Sequence, residues 1–144
     1  MNDRYLFKAK SVDNGEWICG SLITGVFHRE ENGADTPYIL NVDKSNATCF
    51  EDFTEGGEYF EVNPETICQC TGLKDKNGKL TWENDIIEVA GERYLIEWQD
   101  DSAMWVLNQY GSFVASFDNY WSDEVEVIGN KFDDPELLES EAGK

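Results

Sequence analysis

Few residues in this 144-residue chain have the type and spacing for chemistry. There is one histidine, His28. That excludes multi-histidine metal sites and makes a serine–histidine–aspartate triad depend on one residue. His28 stands among Arg29, Glu30 and Glu31, a setting that reads as exposed surface. Cys68 and Cys70 flank Gln69, a spacing that puts both thiols on one face of a strand. With Cys19 and Cys49 they make four cysteines, but zinc ribbons use pairs separated by two residues, and no second close pair exists. Buried, reduced core thiols are expected, with no metal and no cofactor.

Carboxylates are too abundant for adjacency to mean anything. Glu51-Asp52, Asp100-Asp101, Asp123-Glu124 and Asp133-Asp134 are all neighbouring pairs. A carboxylate-based, metal-dependent hydrolase is an alternative reading, but no pair is singled out for it. The expectation is therefore that the chain is not an enzyme.

Two clusters suit contact better than catalysis. Lys74, Lys76 and Lys79 crowd one loop around Asn77-Gly78, and they are candidates for touching an anionic partner or an acidic patch on another subunit. A phosphate cradle would need backbone amides at a helix start, whereas this loop precedes a strand. The competing reading is a hairpin tip kept soluble by lysines, with Asn77-Gly78 supplying positive φ angles. Phe117, Tyr120 and Trp121 form the second cluster, in a loop. Aromatic anchors dominate interface energetics, so an exposed loop here is the best site for a protein contact. Otherwise the loop folds over a barrel end.

The elements that position these residues are short strands. Strands are expected over Arg4–Lys10 and Glu16–Phe27, joined by an Asn14-Gly15 hairpin signal, with Gly20 and Gly25 marking bulges or a bend. A polar loop over His28–Thr36 precedes a strand at Pro37–Val42. An acidic, irregular stretch follows, with one helical turn near Phe50–Phe53. Asn63-Pro64-Glu65 reads as a turn and Thr66–Thr71 as β. From Asp85 on, strands alternate with tight turns, and Trp98 and Trp105 pair across strands. Glu124–Asn130 alternates apolar and polar residues. Asp134 as N-cap and Pro135 at the first position start a short helix over Glu136–Glu141. Short strands at this spacing indicate a mainly β chain. Residues 1–70 form an N-terminal β lobe, and residues 71–144 an SH3-like small barrel with a short C-terminal helix.

Net charge is −19 and runs through the body of the chain. Positions 1–70 hold 5 basic and 13 acidic residues, and positions 71–144 hold 6 and 17. Such a surface repels phosphates, so direct nucleic acid binding is not expected, nor is a membrane partner. The start Met1-Asn-Asp-Arg-Tyr5 lacks a signal-peptide pattern, and no apolar run is long enough to span a membrane. A cytoplasmic location in a bacterial host is the expectation.

The central text Thr71-Gly-Leu-Lys-Asp-Lys-Asn-Gly-Lys79, with Asn84-Asp-Ile-Ile87 after it, resembles the hallmark of the YopX family of phage and prophage proteins. Tyr5–Lys10 with Asn14–Ile23 is similar to that family's opening, and Glu126–Leu138 to its close. Asn84 stands where the family commonly has glycine or another turn residue. The resemblance implies a mainly β fold and a phage or prophage origin. It implies no established activity and no catalytic residues. The combined expectation is an accessory protein working through protein–protein contact, as a homo-oligomer or with an unidentified protein partner. The alternative from another class is an acidic decoy that imitates DNA charge and occupies a basic nucleic-acid-binding protein.

Overall fold

The computed structural model describes residues 5–28, 35–40, 59–118 and 123–139. Eleven strands occur in these residues, and every pairing is antiparallel. The chain divides into two compact units, one within Tyr5–Gln69 and one from Cys70 onward.

The first unit contains β1 (Phe7–Lys10), β2 (Trp17–His28), β3 (Asp35–Leu40) and β4 (Tyr59–Glu61), hydrogen-bonded in the order β4-β3-β2-β1. β1 also pairs through Phe7 and Lys8 with Gln69 and Cys68, the first residues of β5 (Cys68–Lys74). The Asn14-Gly15 turn holds Gly15 at φ 73° and joins β1 to β2. β2 runs on to His28, where a loop is expected from sequence; its register against β3 shifts between Ile23 and Phe27, the segment that contains Gly25. Asn63-Pro64 opens a 3-10 helix over Pro64–Thr66, with the Asn63 side chain accepting from the Glu65 amide at 3.0 Å. Ala9, Ile39 and Val62 form the core, flanked by Phe7, Ile18, Leu22 and Ile67.

In the second unit β5 continues and pairs with β6 (Leu80–Trp82). A five-stranded sheet follows from β7 (Asp85–Val89), β8 (Glu92–Gln99), β9 (Met104–Gln109), β10 (Ser112–Ser116) and β11 (Glu126–Asn130), in the order β10-β9-β8-β7-β11. Two of its turns have two residues. Ala90-Gly91 (φ 53° and 81°) and Tyr110-Gly111 (φ 52° and 83°) both place two residues at positive φ, as the right-handed twist of a tight hairpin demands. Ile87, Ile96, Leu107, Phe117 and Val125 are the buried core on one face of this sheet. Trp98 and Trp105 stand opposite each other in register, their rings edge to face at 5.1 Å, the cross-strand pair expected from sequence.

Two expectations about this unit change. β10 and β11 are the two edges of the sheet and do not pair with each other, so the sheet is open and not a closed barrel. The chain leaves β10 at Ser116 and turns Phe117 into the core, so the strand does not run on toward β11. At the C-terminus a four-residue 3-10 helix, Pro135–Leu138, stands where a longer helix is expected. Asp134 makes no side-chain cap; its carboxylate instead accepts from the Asn130 amide at 3.2 Å. It lies against Gly129, where a Cβ would meet Asp134 Oδ2 at 2.5 Å. Residues 50–53, where a helical turn is expected, lie outside the described residues.

Candidate functional site

The lysine-tipped loop is built around an aspartate. Asp75 is buried, and Asp75 Oδ1 accepts the amides of Asn77 and Lys79, each at 2.9 Å. Its other oxygen accepts the amide of Val127 on β11 at 3.0 Å. Burial alone pushes the Asp75 carboxyl up, but the Val127, Lys79 and Asn77 amides and the Lys79 charge outweigh it and hold the group below 3.8. The backbone follows the same plan: Asp75 donates to the Lys79 carbonyl at 2.8 Å, and Lys76 to the Val125 carbonyl at 2.9 Å. Only Gly78 of the Asn77-Gly78 pair has positive φ, at 81°. The loop is the expected hairpin between β5 and β6, but Asn77 stays at negative φ and its amide serves Asp75, so an aspartate shapes the turn.

Below the loop, Thr71 and Thr81 are both buried and their hydroxyls are hydrogen-bonded to each other. Thr81 Oγ1 donates to the Leu73 carbonyl at 2.9 Å, and Thr71 Oγ1 accepts the Leu73 amide at 3.0 Å. Asp85, also buried, accepts the Trp82 amide at 2.9 Å. Asn84 lies at φ 71°, the left-handed region that glycine and asparagine tolerate. Thr71, Asp75, Thr81, Asn84 and Asp85 are thus all spent on backbone geometry.

The candidate contact residues divide. Lys74, Lys76 and Lys79 are exposed, and Lys76 Nζ lies 3.5 Å from Glu126 Oε2 in an exposed pair worth little to stability. Phe117 is buried in the core, and its amide donates to the Trp105 carbonyl at 2.8 Å, so its ring is not offered to a partner. Tyr120 and Trp121 lie outside the described residues. So does Cys49; Cys68 and Cys70 are buried and not joined in a disulfide, with Cys68 Sγ donating to the Thr66 carbonyl.

Sequence reasoning missed a cleft on the other face of the second unit's sheet. Tyr94 and Ile96 pack into the core, so the alternating residues Arg93, Leu95 and Glu97 of β8 face away from it. Asp134-Pro135 turns the chain back, and Leu137 and Leu138 of the 3-10 helix line the same space. The result is a cleft of about 390 Å3 with Leu95, Leu137 and Leu138 as apolar lining. Glu88, Glu92, Glu97 and Glu139 line it against one cation, Arg93. Neutral amides orient two of these carboxylates. Asn108 Nδ2 donates to Glu97 at 2.7 Å, and Gln109 Nε2 to Glu92 at 2.8 Å. Arg93 lies 3.6 Å from Glu88. The alternation of β8 was the signal available in sequence.

Beside the cleft, the hairpin tip and β10 expose a run of large apolar side chains: Tyr110 at 59%, Phe113 at 55% and Val114 at 47%. Among the described residues β10 has one strand neighbour, β9, and its register shifts between Phe113 and Ala115. Among the described residues no helix is long and apolar enough to cross a membrane, and no three His, Cys, Asp or Glu side chains converge on a metal position.

The family model for YopX protein matches residues 7–139, nearly the whole chain. The chain belongs to the YopX family. No curated protein matches it. Thr71, Asp75, Thr81 and Asp85, whose side chains fix the central loop, all lie within the matched span of this YopX chain.

Proposed function

We propose that this YopX-family chain is a phage- or prophage-encoded accessory protein that acts without catalysis, through protein–protein contacts made at the β10 edge. One observation carries the reading: Phe113 and Val114 of β10, with Tyr110 of the turn before it, are exposed on a strand that has a single neighbour among the described residues. Exposed apolar edges invite strand pairing, and proteins that do not use them cover or charge them. Among the described residues no strand covers β10, and Ser112 to Ser116 contains no charge. The strand order β10-β9-β8-β7-β11, with the last strand beside the first, is the ground for reading the second unit as an SH3-like module, an architecture that presents its edges and turns to partners. The reading places the protein in the cytoplasm of a bacterial host.

The test is a Phe113→Lys/Val114→Lys variant, both positions exposed and outside the core. Wild type and variant are compared by light scattering after gel filtration and by co-purification from the host. Association seen with wild type and lost in a normally folded variant supports the reading. Identical behaviour of the two removes the β10 edge from it.

A second reading rests on net −19: an acidic decoy occupying a basic nucleic-acid-binding protein. Its partners would be released by moderate salt, since exposed charges interact weakly beyond about 10 Å at 0.1 M ionic strength. Partners held through Phe113 and Val114 would survive that salt.

A further inference from the structure

We propose that the cleft under the Pro135–Leu138 turn receives an arginine side chain from an extended segment of a protein partner. The inference rests on the protein-contact reading and states the partner's chemistry. Its starting point is shape. Leu95, Leu137 and Leu138 line a recess of about 390 Å3, large for one side chain and small for a globular surface. An occupant must lay apolar matter on these leucines.

Charge selects the kind of occupant. Four carboxylates face one guanidinium, a net of −3 by that count of Glu88, Glu92, Glu97 and Glu139 against Arg93. The amides of Asn108 and Gln109 hold Glu97 and Glu92 in place without neutralising them. Their orientation is therefore fixed before any cation arrives. Arginine matches both demands, with a three-methylene stem for the leucines and a planar fork of donors for carboxylates.

Position connects the cleft to the edge strand. Tyr110 and Gly111 line the cleft and also form the turn into β10. Tyr110 offers an aromatic face at the rim, where a guanidinium stacks favourably. A segment running along β10 past its first residue reaches the cleft directly.

The experiment uses the full chain with isotope-labelled leucine methyls and two tripeptide probes. One is acetyl-Val-Arg-Val-amide; the other carries citrulline, which has arginine's shape without its charge. The arginine probe should shift the Leu95, Leu137 and Leu138 methyls saturably, and the citrulline probe should bind at least about tenfold more weakly. A Glu92→Gln/Glu97→Gln variant keeps acceptors for Asn108 and Gln109 and should lose the same factor. Equal binding of both probes, or unchanged binding to the variant, overturns the proposal. So do shifts that spread over the whole surface without saturating, which is diffuse attraction to an acidic protein. Failure here, with association still lost in Phe113→Lys/Val114→Lys, removes the cleft and leaves the edge; the reverse pattern removes the edge.

Discussion

Asp75 holds three backbone amides with one buried carboxylate. The carboxylate closes the 75–79 loop and reaches across to the Val127 amide, so it ties the β5–β6 hairpin to β11. Asp75→Ala leaves three amides without their acceptor. The expected loss is about 2–4 kcal/mol, since each unsatisfied buried donor costs about 1–3 kcal/mol and some regain water. Asp75→Asn keeps one acceptor oxygen and loses less. Acid dependence separates charge from shape. The folded carboxyl lies below 3.8 and the unfolded one near it, so its stabilisation is complete above that value and fades as pH falls through the folded pKa. Urea melts of wild type and Asp75→Asn should differ most near neutrality and converge as pH falls through the lowered pKa of Asp75. A constant gap across that range would mean the contribution is steric. The aspartate was visible in sequence as part of the hallmark text, but its role was not. Three lysines and an Asn-Gly pair drew attention to the solvated side of the loop, while the buried carboxylate decides its shape.

At the scale of elements, the tight turns carry the informative tension. Ala90 and Tyr110 hold the first position of turns that ask for φ near +55°, where asparagine or glycine is comfortable and a bulky residue is strained. Tyr110→Asn should raise stability by about 1 kcal/mol, the lower end of what a strained residue costs, which thermal unfolding of the full chain would read. A lower melting temperature would mean that the tyrosine ring earns its place within the fold. Retaining Tyr110 at a strained turn, more than half exposed, agrees with a role at the rim of the cleft. Strand positions were largely legible beforehand, because alternation and Gly-containing turns act locally. Trp98 opposite Trp105 followed from the turn between them. The open sheet did not, because closure depends on where β10 ends and where Phe117 goes. The cleft was hidden for a similar reason: Leu137 and Leu138 meet β8 only once the Asp134-Pro135 turn has folded back.

For the whole molecule, net −19 governs behaviour in solution more than any single contact. Self-repulsion opposes compactness, and salt screens it; the screening length falls from about 30 Å at 0.01 M to about 10 Å at 0.1 M. The melting temperature should therefore rise as sodium chloride increases across that range. A flat response would show that local pairing, such as Arg93 with Glu88, already balances the field. The same charge disfavours close approach of two copies at low salt, so an unlike, basic partner is the better match for the β10 edge and its cleft.

The β7–β11 pairing also sets an order of assembly. β7, β8, β9 and β10 each meet a sequence neighbour across a short turn, contacts that form early because little chain entropy is lost in making them. β11 must cross from Asn130 to Asp85, and the Asp75 carboxylate must find Val127 from 52 residues away. These are the slow closures. β11, together with the Pro135–Leu138 turn that follows it, joins a meander already formed, and in hydrogen exchange its amides should be released before those of β8 and β9. The side of the cleft that Leu137 and Leu138 supply is thus laid last and lifted first.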